Sequence, residues 1–249
     1  MMKSNGGVHK GVKIGSDLFI AVIRKSGLSI KQVQREIKNS GFVIDQNHPD
    51  IVFSIGGDGT LFDAERRYPG VPKVLIRESR ICNHCEDGTI RDALEKIGKC
   101  MYTIEPVMKL LLSTRIKSRC VQKICLNEFS IRNKLMTRAL RFSVSVDNNP
   151  AQVVIGDGVV VATPFGSAAY FYSVCRQTFS SGIGVGFNNP TIRLKPLVIS
   201  EKSKTIITIL RHDALLASDN DPQIITIGQW SKIMIKKSSQ VARLVRFIK

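Results

Sequence analysis

The chain has 249 residues, and 37 Lys and Arg against 20 Asp and Glu leave a formal net charge of +17. A hydrophobic share of 43% is globular rather than disordered, and the length allows one large domain or two modest ones, each with its own core. No uninterrupted apolar window of about 18 residues occurs, which excludes a membrane-spanning helix, and Met1 to Gly7 lacks the apolar stretch of a secretory leader, so a soluble cytoplasmic protein is expected. In chain order, the apolar run Asp17 to Ile23 reads as a strand. Ile30, Val33, Gln34 and Ile37 recur at helical spacing behind Ser29, a plausible cap, and Gly41 stops that helix. Phe42 to Ile44 is a brief second strand, and Asp50 to Ile55 a third that is almost wholly apolar, as a strand buried on both faces would be. Leu61 to Arg67 reads as a helix, Val71 to Ile76 as a strand and Thr89 to Lys99 as a helix. Strands alternating with helices predict a parallel sheet with crossover helices.

From about Met101 the pattern changes. Short β-like segments follow at 109–113, 128–132, 141–146, 159–162, 205–210, 214–217, 223–227, 232–236 and 241–248, separated by turns such as Asp147 to Pro150 and Asn188-Asn189-Pro190. This predicts a β-rich, sandwich-like second domain. The expected division is an α/β domain at 1–100 and a β-rich domain at 101–249. Ser180 to Gly186, with glycines at 182, 184 and 186, reads as a flexible loop because no apolar strand precedes it.

The positive charge suits an anionic partner: nucleic acid, a membrane surface or phosphate-bearing small molecules. Lys and Arg are scattered, aromatics reach only 6%, and no basic segment is interleaved with rings for stacking on bases, so nucleic acid is disfavoured. Of six cysteines only Cys82 and Cys85 have metal-like spacing. Zinc needs four ligands and no second such pair follows, so no metal ligand is assigned. Reduced thiols with one close loop pair are the expectation, and a disulfide there would suit a hyperthermophilic source.

Two stretches carry chemistry. Gly56-Gly57-Asp58-Gly59-Thr60 follows the buried strand and opens a helix, and in open α/β sheets ligands bind at the carboxyl ends of strands. Glycines allow close backbone approach, and N–H groups at a helix start suit phosphate oxygens. Asp58 beside phosphates would hold Mg²⁺ or accept a proton from an attacking hydroxyl, and both roles fit phosphoryl transfer to an alcohol. The plainer alternative is a glycine-rich turn with Asp58 capping the helix. In Gly156 to Ser173, a strand delivers the chain to Thr163-Pro164-Phe165-Gly166 and the small residues Ser167, Ala168 and Ala169. Tyr170 can lie against a flat ring, and Asp157 can accept hydrogen bonds from an amine or ribose hydroxyl. The plainer alternative here is a tight turn leading to a helix with a core tyrosine.

Gly56 to Thr60, then Asn127-Glu128, then Gly156-Asp157-Gly158 running into Thr163-Pro164-x-Gly166-Ser167-x-Ala169-Tyr170 resemble, in order and spacing, the NAD kinase family, with the look of a short archaeal member. The resemblance covers roughly residues 14 to 237. Diacylglycerol and sphingosine kinases have a similar first loop; the Thr-Pro-x-Gly-Ser-x-Ala-Tyr stretch separates NAD kinases from them. The resemblance implies an α/β domain followed by a β-rich one with the active site between them. It implies phosphoryl transfer from ATP, or polyphosphate, to the 2′-hydroxyl of the adenosine ribose of NAD, with Mg²⁺. Asp58 would be the base, and Gly56, Gly57, Gly59 and Thr60 would cradle phosphates. Asn127 and Glu128 would hold NAD or its ribose hydroxyls, and Asp157, Ala168, Ala169, Tyr170 and Ser173 would line the dinucleotide pocket. It also implies a homo-oligomer, a dimer or tetramer.

The departures are specific. Ala168 stands where the family has Thr. Arg77 to Cys85 replaces a glycine-rich Asn-x-Gly segment, leaving Arg77 and Arg80 as phosphate donors. Asp221-Pro222-Gln223 stands for Asp-Gly-Gln, and the chain stops at Lys249 before the helix common in relatives. The alternatives are a lipid or other alcohol kinase with the same loop, a basic nucleic-acid-binding protein without kinase activity, and an NAD-binding sensor without catalysis.

Overall fold

A computed structural model describes residues 18–24, 29–78, 82, 84, 85 and 88–248. They form two compact units. One comprises the residues up to Glu105 together with those from Arg243 onward, and the other comprises Pro106–Ala242.

The first unit runs β1 (Phe19–Arg24), α1 (Ile30–Asn39), β2 (Val43–Ile44), β3 (Ile51–Gly56), α2 (Asp58–Arg67), β4 (Lys73–Arg77) and α3 (Ile90–Gly98). The strands pair in parallel in the order β2-β1-β3-β4, the expected crossover arrangement. Alternate strand residues face opposite layers. Ile20, Val22, Phe53, Ile55, Val74 and Ile76 pack with Val33 and Ile37 of α1 and with Leu94 and Ile97 of α3. Ala21 and Val52 on the other face pack with Ala64 and Tyr68. Covering both faces explains why β3 is apolar throughout. Thr89 opens α3 with a capping box to Asp92. Lys73 is fully buried; Glu65 balances its charge and the Tyr68 carbonyl accepts a hydrogen bond from its Nζ at 2.6 Å, as a buried charge requires.

The second unit contains most of β5 (Tyr102–Ile116), then β6 (Arg119–Cys125), β7 (Glu128–Asn133), β8 (Leu140–Val146), β9 (Gln152–Gly156), β10 (Gly158–Ala162), α4 (Tyr170–Cys175), β11 (Ile183–Asn188), β12 (Leu197–Ile199), β13 (Lys204–Arg211), β14 (Ala214–Ser218), β15 (Ile225–Ile227) and the larger part of β16 (Lys232–Phe247). One antiparallel sheet has the order β12-β11-β10-β7-β14-β15. In the other layer β13 pairs antiparallel with β16 and β8, and β8 with β9. Phe129, Ile131, Val159 and Val161 from the first sheet share a core with Phe142, Val144, Ile207, Ile209, Ile233 and Ile235 from the second, which is sandwich packing. No described helix is long and apolar enough to cross a membrane.

Several details differ from the sequence reading. Residues 232–236 and 241–248 lie largely on one long strand, β16, whose end pairs in parallel with β4 at Leu244 and Lys73. The residues from Arg243 therefore group with the first unit rather than with 101–249. Strands β6, β9 and β12 have no counterpart among the expected segments. The expected loop at 180–186 is corrected outright: Ile183–Asn188 is strand β11, paired on both sides. Its glycines serve packing. A Cβ on Gly184 would stand 2.4 Å from the Phe179 ring, and one on Gly186 would stand 2.4 Å from Cys175 Sγ.

Candidate functional site

In the first unit, β3 delivers the chain to Gly56, where φ is +154° and a Cβ would strike Thr60 Oγ1. Only glycine fits there. Gly57 is the N-cap of α2 and Asp58 is its first helical residue. The capping alternative for Asp58 therefore falls away: the carboxylate belongs to the first turn of the helix. The helix start brings a positive dipole end toward whatever this loop holds. Thr60 is buried, and its N–H donates to the Gly57 carbonyl at 2.9 Å. Its side chain packs against Gly56 at the start of the loop.

Cys82 and Cys85 form a disulfide with 5.6 Å between their Cα atoms, in place of the expected reduced thiols. The bridge flanks the loop, with Cys82 Sγ 3.4 Å from Asp58 Oδ1 and Cys85 Sγ 3.8 Å from the Gly56 carbonyl oxygen. The Arg77 guanidinium donates to the Cys82 carbonyl at 3.2 Å. Arg80 lies outside the described residues. Among the described residues no three His, Cys, Asp or Glu side chains cluster as a metal site.

In the second unit, Leu126 and Asn127 turn the chain from β6 into β7. Strand β10 pairs with β7, placing Ala162 opposite Glu128. Thr163 then closes on the turn: its hydroxyl donates to the Leu126 carbonyl at 2.7 Å and its N–H to the Asn127 carbonyl at 2.8 Å. Gly166 is mandatory because a Cβ there would stand 2.5 Å from the Asn127 carbonyl oxygen. Thr163-Pro164-x-Gly166 is thus a clamp on Asn127-Glu128, and the two sequence motifs are one structural feature. Both side chains are buried, yet Asn127 Oδ1 and Glu128 Oε2 have no hydrogen-bond partner among the described residues. Burial, and secondarily the charge of Asp219, push the Glu128 carboxyl up to about 8.

A short 3₁₀ turn carries Ala168, exposed, to Ala169 and α4. Phe171, not Tyr170, is the core aromatic of that helix. The Tyr170 hydroxyl accepts from Asn188 Nδ2 at 3.2 Å, and Asp157 accepts from Asn189 Nδ2 at 3.0 Å. Asp157, Tyr170 and Ser173 meet in a cleft of about 610 Å³ that also presents Arg132, Asn188 and Arg193. The cleft therefore unites three of the expected pocket residues. Asn127 and Glu128 lie on the clamped turn, and residues 56–60 belong to the first unit.

Sequence reasoning missed Arg132, Arg193 and above all Asp219, whose carboxylate meets the backbone of Leu126, Asn127 and Glu128. The signal for Asp219 was the Asp219-Asn220-Asp221 run, which reads only as a turn. Asp221, the residue read as the counterpart of the family's acid, pairs instead with Lys123 at 3.0 Å.

Residues 126–247 match the family described as the ATP-NAD kinase C-terminal domain. The chain is 33% identical over 186 residues to an NAD kinase of Sulfurisphaera tokodaii, covering 72% of this chain and 71% of that protein. It is 27% identical over 218 residues to an NAD kinase of Thermoplasma acidophilum, covering 85% and 79%. In fold it is similar to an NAD kinase from Archaeoglobus fulgidus solved in complex with ATP (TM-score 0.77, 20% identity, 92% of this chain and 94% of that one). It is likewise similar to yeast NADH kinase complexed with NADH (TM-score 0.81, 14% identity, 94% and 84%).

Proposed function

Because the chain belongs to the NAD kinase family, we propose that it transfers the terminal phosphoryl group of ATP to the 2′-hydroxyl of the adenosine ribose of NAD, giving NADP. The single observation that carries the dinucleotide side is the pair of orphaned polar atoms, Asn127 Oδ1 and Glu128 Oε2. Leaving buried polar atoms unmet costs about 1–3 kcal/mol each, and a ribose bearing two hydroxyls meets both. Asp157 and Tyr170 in the cleft of the same unit offer a polar acceptor and a flat ring to the rest of the ligand.

On the phosphoryl side, Gly56, Gly57 and Gly59 let phosphates approach the start of α2, where the helix dipole favours their charge. Phosphoryl transfer needs position and electrostatics more than covalent help. Asp58 has the proton-accepting group for the 2′-hydroxyl. A Mg²⁺ ion would neutralise phosphate charge. With no three-residue cluster among the described residues, the chain suits an ion carried by the triphosphate, which leaves Asp58 to the 2′-hydroxyl. We place the enzyme in the cytoplasm as a homo-oligomer, in line with the family resemblance.

Incubation with NAD, ATP and Mg²⁺, followed by chromatographic detection of NADP, tests the reading. Parallel arms with polyphosphate and with NADH assign donor and acceptor. A labelled product from diacylglycerol or a long-chain base, with no NADP, overturns it. Tight NAD binding without turnover makes the protein a sensor instead.

A further inference from the structure

The turn after β14 places Asp219 at a left-handed φ of 46°. Its carboxylate accepts three successive main-chain N–H groups. Oδ2 takes that of Leu126 at 2.8 Å, and Oδ1 takes those of Asn127 at 2.7 Å and Glu128 at 3.2 Å. Its own N–H donates to the Glu128 carbonyl at 3.1 Å. From the other side Thr163 holds the Leu126 and Asn127 carbonyls. The backbone of the bend is therefore gripped on its donors and on its acceptors, while the side chains of Asn127 and Glu128 keep an unmet oxygen each. A link between two antiparallel strands does not need an ionised acceptor. A charged group spent on three amides makes sense where the direction of the next side chains matters, because a site gains when its members are held before the ligand arrives.

We propose that Asp219 is a positioning residue of the dinucleotide site, fixing the Leu126–Glu128 bend so that Asn127 and Glu128 aim their polar atoms at the bound ribose. The proposal rests on reading Asn127 and Glu128 as residues that hold NAD. Asp219 has a second consequence. The groups around Glu128 are Asp219 on the turn after β14, the Cys125 thiol at the end of β6 and, beyond that thiol, Lys109 on β5. Burial and the Asp219 charge keep Glu128 protonated at neutral pH, so it meets a ribose hydroxyl as a donor as well as an acceptor.

The test uses the full chain with Asp219→Asn, which keeps the shape, removes the charge and turns one acceptor into a donor. Asp213→Asn, taken from an exposed pair with Lys134, controls for the lost charge. The readouts are hydrogen exchange of the Leu126, Asn127 and Glu128 amides without ligand, kcat and KM for NAD, and the pH profile of kcat/KM. In Asp219→Asn the three amides are expected to exchange at least tenfold faster. KM for NAD should rise at least tenfold with a smaller change in kcat, and the alkaline limb should move to lower pH. Asp213→Asn should change none of these. If Asp219→Asn does not fold, Asp219→Ser, with one neutral acceptor, is read by the same criteria. The proposal is overturned if an active Asp219 variant keeps KM within twofold of wild type. It is also overturned if KM rises with no shift of the pH limb and no selective exchange at the three amides, which is what general loosening would give. A wild-type chain that makes no NADP removes the functional reading itself, and this proposal with it.

Discussion

Asp58 and Tyr170 sit in different units and answer to different measurements. Asp58 stands in the first turn of α2, beyond a strand end whose glycines admit phosphates. General-base help is typically worth about 10²–10⁴ in rate, so Asp58→Asn is expected to lower kcat by that factor while KM for NAD stays within a few fold. An unchanged kcat, measured at saturating ATP and NAD, removes Asp58 from the chemistry. Tyr170 presents its ring to the cleft and ties its hydroxyl to Asn188. Tyr170→Ala deletes the ring and leaves Asn188 Nδ2 without that acceptor. Ring packing is worth roughly 1 kcal/mol, so KM for NAD should rise about fivefold with kcat little changed. A KM that stays put means the ring serves only the fold. The two variants separate the step from the holding of the substrate.

At the scale of elements, the clamp between β10 and the turn before β7 explains why the site was only half legible. The apolar run at 51–55, the helical spacing in 30–37 and the alternation of types were readable because one period dominates each segment. The residues of the two motifs were readable as chemistry, yet nothing in their spacing said that Gly166 is pressed against Asn127. That is a contact between residues thirty-nine positions apart, made by strand pairing. Strand β11 was invisible for the opposite reason: Gly184 and Gly186 weaken a strand signal, and their use, room for Phe171, Phe179 and Cys175, exists only after packing. Asp219 was hidden because its partners are backbone amides, which carry no sequence identity. The clamp gives its own prediction. Gly166→Ala places a methyl against the main chain of Asn127, which cannot swing away as a side chain can. Overpacking of this kind costs about 1–3 kcal/mol. The variant should therefore lose stability in urea and raise KM for NAD more than Tyr170→Ala does, because the bend that aims Asn127 and Glu128 is displaced. Unfolding curves that coincide with wild type would show that the turn has slack.

For the whole molecule, pH acts on stability through few groups. Asp45, Asp92, Glu95 and Asp147 are held below the usual carboxylate range, mostly by hydrogen bonds to their ionised forms. Their support is present above the ordinary carboxylate values and is lost as pH falls through the lowered ones. They are exposed, so their weight is small. Glu128 has the opposite sign. Its carboxyl titrates near 8 in the folded chain against an ordinary 4.5. Between those values the folded state holds a proton that the unfolded chain has released, and stability must fall as pH rises. The slope approaches about 1.4 kcal/mol per pH unit at most, and a total of a few kcal/mol is the right order. The ligand-free protein should therefore melt higher at pH 5.5 than at pH 8.5, by several degrees for a chain of this size. Glu128→Gln carries no titrating group and should flatten the dependence. If the glutamine variant retains the full slope, the proton sits elsewhere, and Glu128 reaches the dinucleotide as a carboxylate.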